Sequence, residues 1–318
     1  MNILYTGLDV AKATLQLSVR GASHALDNDA KGHAKLITLL RKAERESGAK
    51  THVILEATGG YESAAASALH KEEIALSIML PSRVRAFARA KGRLAKSDPI
   101  DADMLAAFGE AITPAATPAP SPAQTALGAL TTRRAQLVAD RVAEGNRAAH
   151  YQHKLLLRQH RAHLALLEKQ IAQCEEAIGA QIAAEPAMSA RAERLQQVPG
   201  IGPTSAAVLL ADMPELGQLT PNEAAALAGL APYNCDSGAH NGPRRIKGGR
   251  TSVRCALYMP AMNAIRYDPV LQAFYQRLCE RGKKRIVALT AVMRKLIVLL
   301  NHMLKNPGFK LKGVPLKA

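Results

Sequence analysis

Residues 51–60, THVILEATGG, carry an unbroken apolar run closed by two glycines. A run of this kind is the signature of a strand buried on both faces. Such a strand must be covered from both sides, which calls for helices around a sheet rather than a helical bundle. The surrounding pattern agrees. Residues 3–10 (ILYTGLDV) and 14–20 (TLQLSVR) read as strands, the second with clear period-two alternation. A turn holding Lys12 joins them, and a third short strand is expected near residues 24–26. Residues 32–48 have helical spacing, with Leu36, Leu39 and Leu40 on one face. After the THVILE strand come a helix at 61–71, a strand at 75–80 and a basic helix at 82–93. KSDPIDADMLAAFGEA then opens a helix at Asp98 and Pro99, a good N-cap and N1 pair. Three early strands followed by alternating strands and helices predict an α/β fold with a mixed sheet over residues 1–112.

Residues 113–122 (TPAATPAPSP) read as a proline-rich linker. Residues 123–190 are expected to form a helical connector. There Leu157, Leu164, Ile171 and Ile178 fall seven apart, with Leu167 and Cys174 three residues after two of them. That heptad seam fits a helical hairpin or coiled coil and equally an ordinary amphipathic helix. A C-terminal domain is expected over 191–306. It opens with VPGIGPTSAAVLLADM, continues with a helix at 223–231 and a glycine-rich basic loop at 234–250, and ends with two long apolar-basic helices. A loose tail follows at 307–318.

The charge is unevenly placed. Of the net +16, residues 186–318 hold 19 Lys and Arg against 7 Asp and Glu. From residue 240 onward there are 17 basic residues and two acids, Asp268 and Glu280. That asymmetry points to a polyanion partner. With no Trp, seven Tyr and four Phe, an extensive base-stacking platform is not expected, so phosphate contacts should dominate. The four cysteines lie far apart with no CxxC pair, which argues against a disulfide framework and for free thiols in a reducing bacterial cytoplasm. No secretory leader and no uninterrupted apolar stretch of bilayer length are expected.

The carboxylates carry the chemistry. Asp9 ends the first strand, Glu56 ends the THVILE strand, and Asp98 and Asp101 are three apart at a helix start, on one face. If the two strands are neighbours and that helix crosses their ends, the four groups converge. Four clustered carboxylates repel unless a cation neutralises them, and Mg²⁺ (or Mn²⁺), with its preference for oxygen ligands, suits phosphoryl transfer. Taken singly, each acid has a plainer reading: Asp98 as a helix cap, Asp101 and Asp103 as favourable charges near a helix N-terminus, Glu56 as a turn residue. Asp9 is the exception, because a carboxylate in an apolar strand needs a reason. Asp103 is the rival fourth ligand but points about 200° round the helix from Asp101.

GLDVAK, LEATGGYE and the basic helix leading into KSDPIDAD resemble the signature of transposases with a RuvC-like (RNase H-type) domain and an Asp-Glu-Asp-Asp tetrad. These are the bridge-RNA-guided insertion-sequence recombinases of the "one-ten" family, which also resemble Piv-type DNA invertases. The likeness covers nearly the whole chain. It implies a metal-binding catalytic tetrad of Asp9, Glu56, Asp98 and Asp101. Ser97 and Pro99 depart from the threonine and polar residue expected beside Asp98. LAPYNCDSGAHNGPRRIKGGRTSVRCALY resembles the family's C-terminal catalytic segment, in which a serine before a glycine attacks DNA, and Ser237 matches that position. Ser252 is a competitor, better explained with Thr251 as a helix cap.

Arg244, Arg245, Lys247, Arg250 and Arg254 would stabilise charge around a phosphorane-like transition state. VPGIGPTS resembles a helix-hairpin-helix, in which Gly200 and Gly202 let backbone N–H groups approach a phosphate. Lys12, Arg83, Arg85, Arg89, Lys91, Arg93 and Lys96 could steer nucleic acid toward the carboxylates or merely form a solvated face. His150, His153, His160 and His163 have i,i+3 spacing, but no nearby carboxylate or cysteine completes a metal site, so polar helix positions are expected. The resemblance further implies donor and target double-stranded DNA, a guide RNA, and a homo-oligomer (dimer or tetramer) in which one protomer's carboxylates complement another's serine. The other functions weighed are a junction nuclease that uses water and a non-catalytic nucleic-acid binder.

Overall fold

The computed structural model describes residues 2–92, 98–234, 236–237, 240–242 and 244–310, the side chains of residues 98, 99, 236, 237, 240 and 241 excepted. The chain divides into two compact units, 1–119 and 120–318. The boundary falls inside the proline-rich segment.

The N-terminal unit is an α/β layer structure. Its elements are β1 (Ile3–Val10), β2 (Thr14–Val19), β3 (Ala22–Asp27), α1 (Ala30–Ser47), β4 (Lys50–Glu56), α2 (Glu62–Lys71), β5 (Ala75–Met79), α3 (Pro81–Ala90) and α4 (Asp98–Ile112). The sheet runs β3-β2-β1-β4-β5. β1 pairs antiparallel with β2 and parallel with β4, and β4 pairs parallel with β5, so the sheet is mixed, as the alternation predicts.

The sheet buries two different sets of side chains, one on each face. Leu8, Val10, Leu15, Leu17, Val53, Leu55 and Leu76 pack with Leu36 and Leu40 of α1 and Leu69 of α2. On the opposite face Ile54 and Met79 pack with Val84 of α3 and Met104, Leu105 and Phe108 of α4, with Tyr5 alongside. β4 is therefore the doubly covered strand that its unbroken apolar run demands.

The second face is closed by small residues. A Cβ on Gly7 would lie 1.8 Å from the Ala102 carbonyl oxygen and 2.7 Å from the Ala106 nitrogen. A Cβ on Gly109 would lie 2.7 Å from both Ile54 Cγ1 and Tyr5 Cδ1. The residues facing the sheet, Ala102, Ala106 and Gly109, recur at i, i+4 and i+7, one helical face. Backbone lies almost on backbone here. Gly109 sits over Tyr5 and Ala102 over Gly7, so α4 runs antiparallel to β1 and its N-terminus points to the end of β1 that carries Asp9.

The proline-rich segment holds a sheet edge. Thr117 N–H donates to Leu76 O at 2.7 Å, its Oγ1 accepts from Ile78 N at 3.1 Å, and Ser77 Oγ donates to Ala115 O at 2.7 Å. Prolines cannot donate to a further strand, so the segment closes the β5 edge.

Ser77 Oγ also contacts Nε2 of His52 at 2.8 Å. Because Ser77 spends its proton on Ala115, His52 must donate, and the ring is the Nε2–H tautomer. His52 is buried against the Tyr5 ring, centroids 5.3 Å apart, and burial lowers its pKa below 6.5. A histidine depressed in the fold adds stability that is full above its unfolded value and is lost as pH falls through that value and below. Thermal unfolding between roughly pH 7.5 and 5.5 should therefore show an acid loss of stability. His70, also lowered by burial, contributes to it. His52→Gln, which keeps a donor for Ser77, should flatten that loss; an unchanged pH profile would count against this assignment.

The C-terminal unit is helical. α5 (Pro122–Arg147) and α6 (Lys154–Ala183) are followed by α7 (Pro186–Gln196), α8 (Pro203–Asp212) and α9 (Pro221–Leu227). The two-residue strands β6 (Pro232–Tyr233), β7 (Asp236–Ser237), β8 (His240–Asn241) and β9 (Arg245–Ile246) come next. The last elements are α10 (Thr251–Ala256), α11 (Tyr258–Tyr267), α12 (Pro269–Glu280) and α13 (Arg285–Lys305).

α5 and α6 form an antiparallel hairpin. Arg134 pairs with Glu175 at 2.6 Å, Leu137 packs with Leu167 and Ile171, and Glu144 meets His160 at 2.8 Å, each pair advancing up one helix and down the other. The heptad stripe of α6 is the buried one, with Leu167, Ile171 and Ile178 covered by α5. The hairpin's base, at Leu127 and Ile178, joins the same core as the C-terminal helices.

Two expectations need correction here. The final region holds four helices, not two, because Asp268 caps α12 through the Val270 and Leu271 amides with Pro269 at its first turn, and Gly282 turns the chain before α13. α13, with 21 residues and a mean hydropathy of 1.6, is long and apolar enough to cross a bilayer by length and composition alone, although Arg294 and Lys295 interrupt its apolar run. Its apolar face, including Val292, Leu296, Ile297 and Leu300, lies in the core of this unit. The tail is also tied down further than expected. Arg194 donates to the carbonyls of Met303, Asn306 and Phe309, and Phe309 packs edge-on to His302. Residues 311–318 lie outside the described part.

Candidate active site

The acids of the N-terminal unit sit where the fold ends its strands. The β1–β4 register pairs Gly7 with Ile54 and Leu8 with Leu55, which puts Asp9 and Glu56 one step beyond on adjacent parallel strands. Both alternate with residues of the α4-facing side: Asp9 follows Gly7 by two, Glu56 follows Ile54 by two. Asp101 belongs to the first turn of α4, just before the Ala102 contact with Gly7. Asp9, Glu56 and Asp101 are each half-buried. Sheet register and helix direction thus bring these acids to one end of one face, with Asp98 opening the same helix turn. The Asp98 side chain is outside the described residues. Among the described residues, no group of three His, Cys, Asp or Glu side chains is gathered as a ready metal cage.

Neighbouring polar residues shape this end. Asp103 accepts a hydrogen bond from Ser18 of β2, so the rival ligand is spent on anchoring α4 to the sheet. Glu62 Oε2 accepts from Thr58 N, Thr58 Oγ1 and Gly60 N, at 3.1, 2.9 and 2.9 Å. One carboxylate thereby folds the ATGGY loop that leaves Glu56. Asn28 donates to the carbonyls of Ala11 and Tyr61 and bridges to His33, which ties that loop to the turn carrying Lys12. The spacing Thr58–Glu62 could have signalled the loop cap in the sequence. Ser18–Asp103, 85 residues apart, could not.

The cations of α3 are exposed at Arg83, Arg85, Arg89 and Lys91. Arg83 lies over the Phe108 ring at 5.8 Å and Lys91 over Phe87 at 5.1 Å, so two of the four also brace the helix. Lys12 is exposed in its turn. Arg93 and Lys96 lie outside the described residues.

In the C-terminal unit the glycine-rich loop is a nested pair of short ladders. Pro232 pairs with Ile246 and Tyr233 with Arg245; inside them Asp236 pairs with Asn241 and Ser237 with His240. Ser237 therefore sits at the tip of the inner ladder, and its side chain is outside the described residues. The base of the loop is clamped. Arg250 makes a two-pronged ion pair with Glu215 at 2.7 and 2.8 Å and donates to Asp212 O. This partner raises the Arg250 pKa and, against its own burial, holds Glu215 low. Arg254 donates to the carbonyl of Gly248. Gly229 and Gly249 approach so closely that a Cβ on Gly249 would lie 2.1 Å from the Gly229 nitrogen. Arg250 and Arg254 thus hold the loop, while Arg244, Arg245 and Lys247 are exposed along it.

Between α7 and α8, Val198 and Ile201 are buried, Gly200 takes φ 90° and Gly202 caps α8 with Pro203 in its first turn. Of the histidines expected at polar helix positions, His150 ends a 3₁₀ turn, His153 caps α6 through the Leu155 amide, and only His160 and His163 lie on α6, with His160 buried. Glu144, not considered as a partner in the sequence, reaches His160 across the hairpin and lies 3.7 Å from His163.

An α/β unit with acids at its strand ends is followed along the chain by a basic helical unit, and sequence comparison supplies the family. Residues 6–156 match a DEDD-type family described as Transposase, and residues 192–276 match the Transposase IS116/IS110/IS902 family. The chain belongs to the IS110-type transposases. It is 28% identical over 312 residues to the pilin gene-inverting proteins of Moraxella lacunata and Moraxella bovis, covering 94% of this chain and 95% of each relative. It is also 33% identical over 124 residues to an uncharacterized 43.6 kDa protein of insertion element IS110 from Streptomyces coelicolor, covering 38% of this chain and 30% of that one. Membership implies a DNA-recombining enzyme with DNA substrates, and the DEDD-type match suggests a divalent-metal requirement.

Proposed function

We propose that this transposase cuts and rejoins DNA strands with two sets of residues: Asp9, Glu56, Asp98 and Asp101 in the N-terminal unit, and Ser237 in the C-terminal unit. The observation that carries the reading is the packing of α4 on Gly7, which supports a common location for the acids at the ends of β1 and β4. Four carboxylates supply hard oxygen donors, and their mutual repulsion calls for a cation, so the donor set fits Mg²⁺ or Mn²⁺. When bound, such an ion supplies charge neutralisation around the phosphate under attack.

The protein's own residues do the rest. The Ser237 hydroxyl attacks the scissile phosphorus; a serine–phosphate ester forms, and the bond to the leaving sugar oxygen breaks, that oxygen taking up a proton. A second sugar hydroxyl then attacks the ester, restores the serine and joins the strands. The two steps are transesterifications and need no external energy source. Arg244, Arg245 and Lys247, exposed along the loop, would hold the phosphate's charge, and Arg250 and Arg254 would keep that loop in place. The turn at Gly200–Gly202 resembles a helix-hairpin-helix and would meet the DNA backbone. Inversion, the activity named for the Moraxella relatives, and transposition are both outcomes of this exchange. Guidance by a structured RNA, a coiled-coil role for the hairpin and sharing of the site between protomers follow from the family likeness alone.

The test is adduct trapping on a nicked DNA substrate. The protein should form a covalent DNA adduct that maps to Ser237 and disappears in Ser237→Ala. Cleavage that persists without any adduct in Ser237→Ala would instead identify a nuclease that uses water. Salt-sensitive binding without metal-dependent cleavage would identify a non-catalytic binder. RNA recovered with the purified protein would bear out the guide.

A further inference from the structure

The α5–α6 hairpin segregates its charge. Its tip, residues 141–163, holds five cations, Arg141, Arg147, Lys154, Arg158 and Arg161, against a single acid, Glu144. The stem, residues 122–140 and 164–183, holds three cations, Arg133, Arg134 and Lys169, against four acids, Asp140, Glu168, Glu175 and Glu176. The five tip cations are exposed, whereas the Glu144 side chain is only 8% exposed. Glu144 is enclosed by Arg147 at 3.0 Å and His160 at 2.8 Å, with His163 at 3.7 Å, so the tip's only negative charge is neutralised from within. The tip's aromatic residue, Tyr151, packs edge-on to His160 at 5.6 Å and gives no open stacking face. A cationic end on a stem of opposite bias is more than a solvated helix face, because solubility does not require the sorting. Its chemistry suits phosphates, not bases.

We propose that the hairpin tip is a duplex-DNA docking surface that grips the phosphate backbone without reading sequence. DNA is the partner because it is the substrate of this family. The proposal is independent of the carboxylates and of Ser237, since binding can be measured with no metal and no cleavage.

The experiment is a salt titration of affinity for a blunt DNA duplex of arbitrary sequence, in chelator, with the full chain. Each lost phosphate contact lowers the slope of log K against log salt by about one, so Arg158→Ala/Arg161→Ala should reduce it by about two and weaken binding ~10- to 100-fold near 0.1 M salt. Arg141→Ala/Lys154→Ala, on α5 and at the first position of α6, should act in the same direction. The stem control, Arg133→Ala/Lys169→Ala, removes the same charge and should leave slope and affinity near wild type. All six residues lie in α5 or α6, Lys154 at the first position of α6, so unchanged helicity and thermal midpoint check the fold. Three outcomes would overturn the proposal: tip variants that bind as wild type, equal losses from tip and stem, or a loss for duplex RNA but not for DNA.

Discussion

Asp9→Asn is expected to reduce strand cleavage by on the order of 10³-fold or more while leaving DNA affinity nearly unchanged. The substitution keeps the volume and polarity of the side chain and removes only its charge. If Asp9 is there to hold a cation, that charge is the property that matters; if it is an ordinary strand-end residue, its loss should cost little. Glu56→Gln and Asp101→Asn should behave alike, because the three acids lie at one end of one sheet face. Asp103→Asn is the informative contrast. Asp103 is engaged with Ser18, and an asparagine can still accept that bond, so this variant should cleave nearly as well as the wild type. Single-turnover cleavage of a DNA substrate, beside affinity measured in chelator, separates the two effects. Full activity in Asp9→Asn would remove the basis for a metal-bearing tetrad. Loss in Asp103→Asn equal to that in Asp101→Asn would move the fourth ligand two residues along the helix.

Much of this arrangement is legible in the sequence because it depends on local periodicity. The doubly buried β4, the alternation of β2 and the Asp98–Pro99 helix start are all short-range signals, and the structure carries elements at those places. The heptad stripe of α6 is likewise a local signal, although only the fold shows that α5 covers it. The break at Asp268–Pro269 was as readable as the one at Asp98–Pro99, but the apolar-basic run around it masked the cap. What the sequence hides is long-range pairing. Nothing local announces that Glu144 will meet His160, that Arg250 will be taken up by Glu215, or that Thr117 will close the β5 edge. Arg250 shows the consequence for function. By composition it is one more cation in a basic loop, yet its guanidinium is committed to an ion pair and a carbonyl at the loop's base. The exposed cations of the hairpin tip are the reverse case: each is unremarkable in sequence, and only the antiparallel pairing collects them at one end.

The second large effect should come from a residue with no side chain. Gly7→Ala is expected to destabilise the N-terminal unit by on the order of 3 kcal/mol and to abolish cleavage, although every acid is retained. The added methyl carbon would lie 1.8 Å from the Ala102 carbonyl oxygen, and the obstruction is backbone, which cannot rotate aside as a flexible side chain could. α4 must therefore move away from β1, carrying Asp98 and Asp101 with it. Catalytic groups shifted by about 1 Å can cost on the order of 10²-fold in rate, so activity should fall even where the unit still folds. Thermal unfolding and single-turnover cleavage of the same preparation distinguish lost folding from lost geometry: a lower but intact transition with no cleavage is the expected pair of results. Gly128→Ala is the matched control. A Cβ there meets nothing within 4 Å, and in the interior of α5 it should stabilise the helix by about 0.5–1 kcal/mol with activity unaltered. A Gly7→Ala protein that melts and cleaves like the wild type would mean that α4 does not press on β1 as described. The convergence of the acids would then lose its structural support, since the closeness of these two backbones is what sets the helix start against the strand ends.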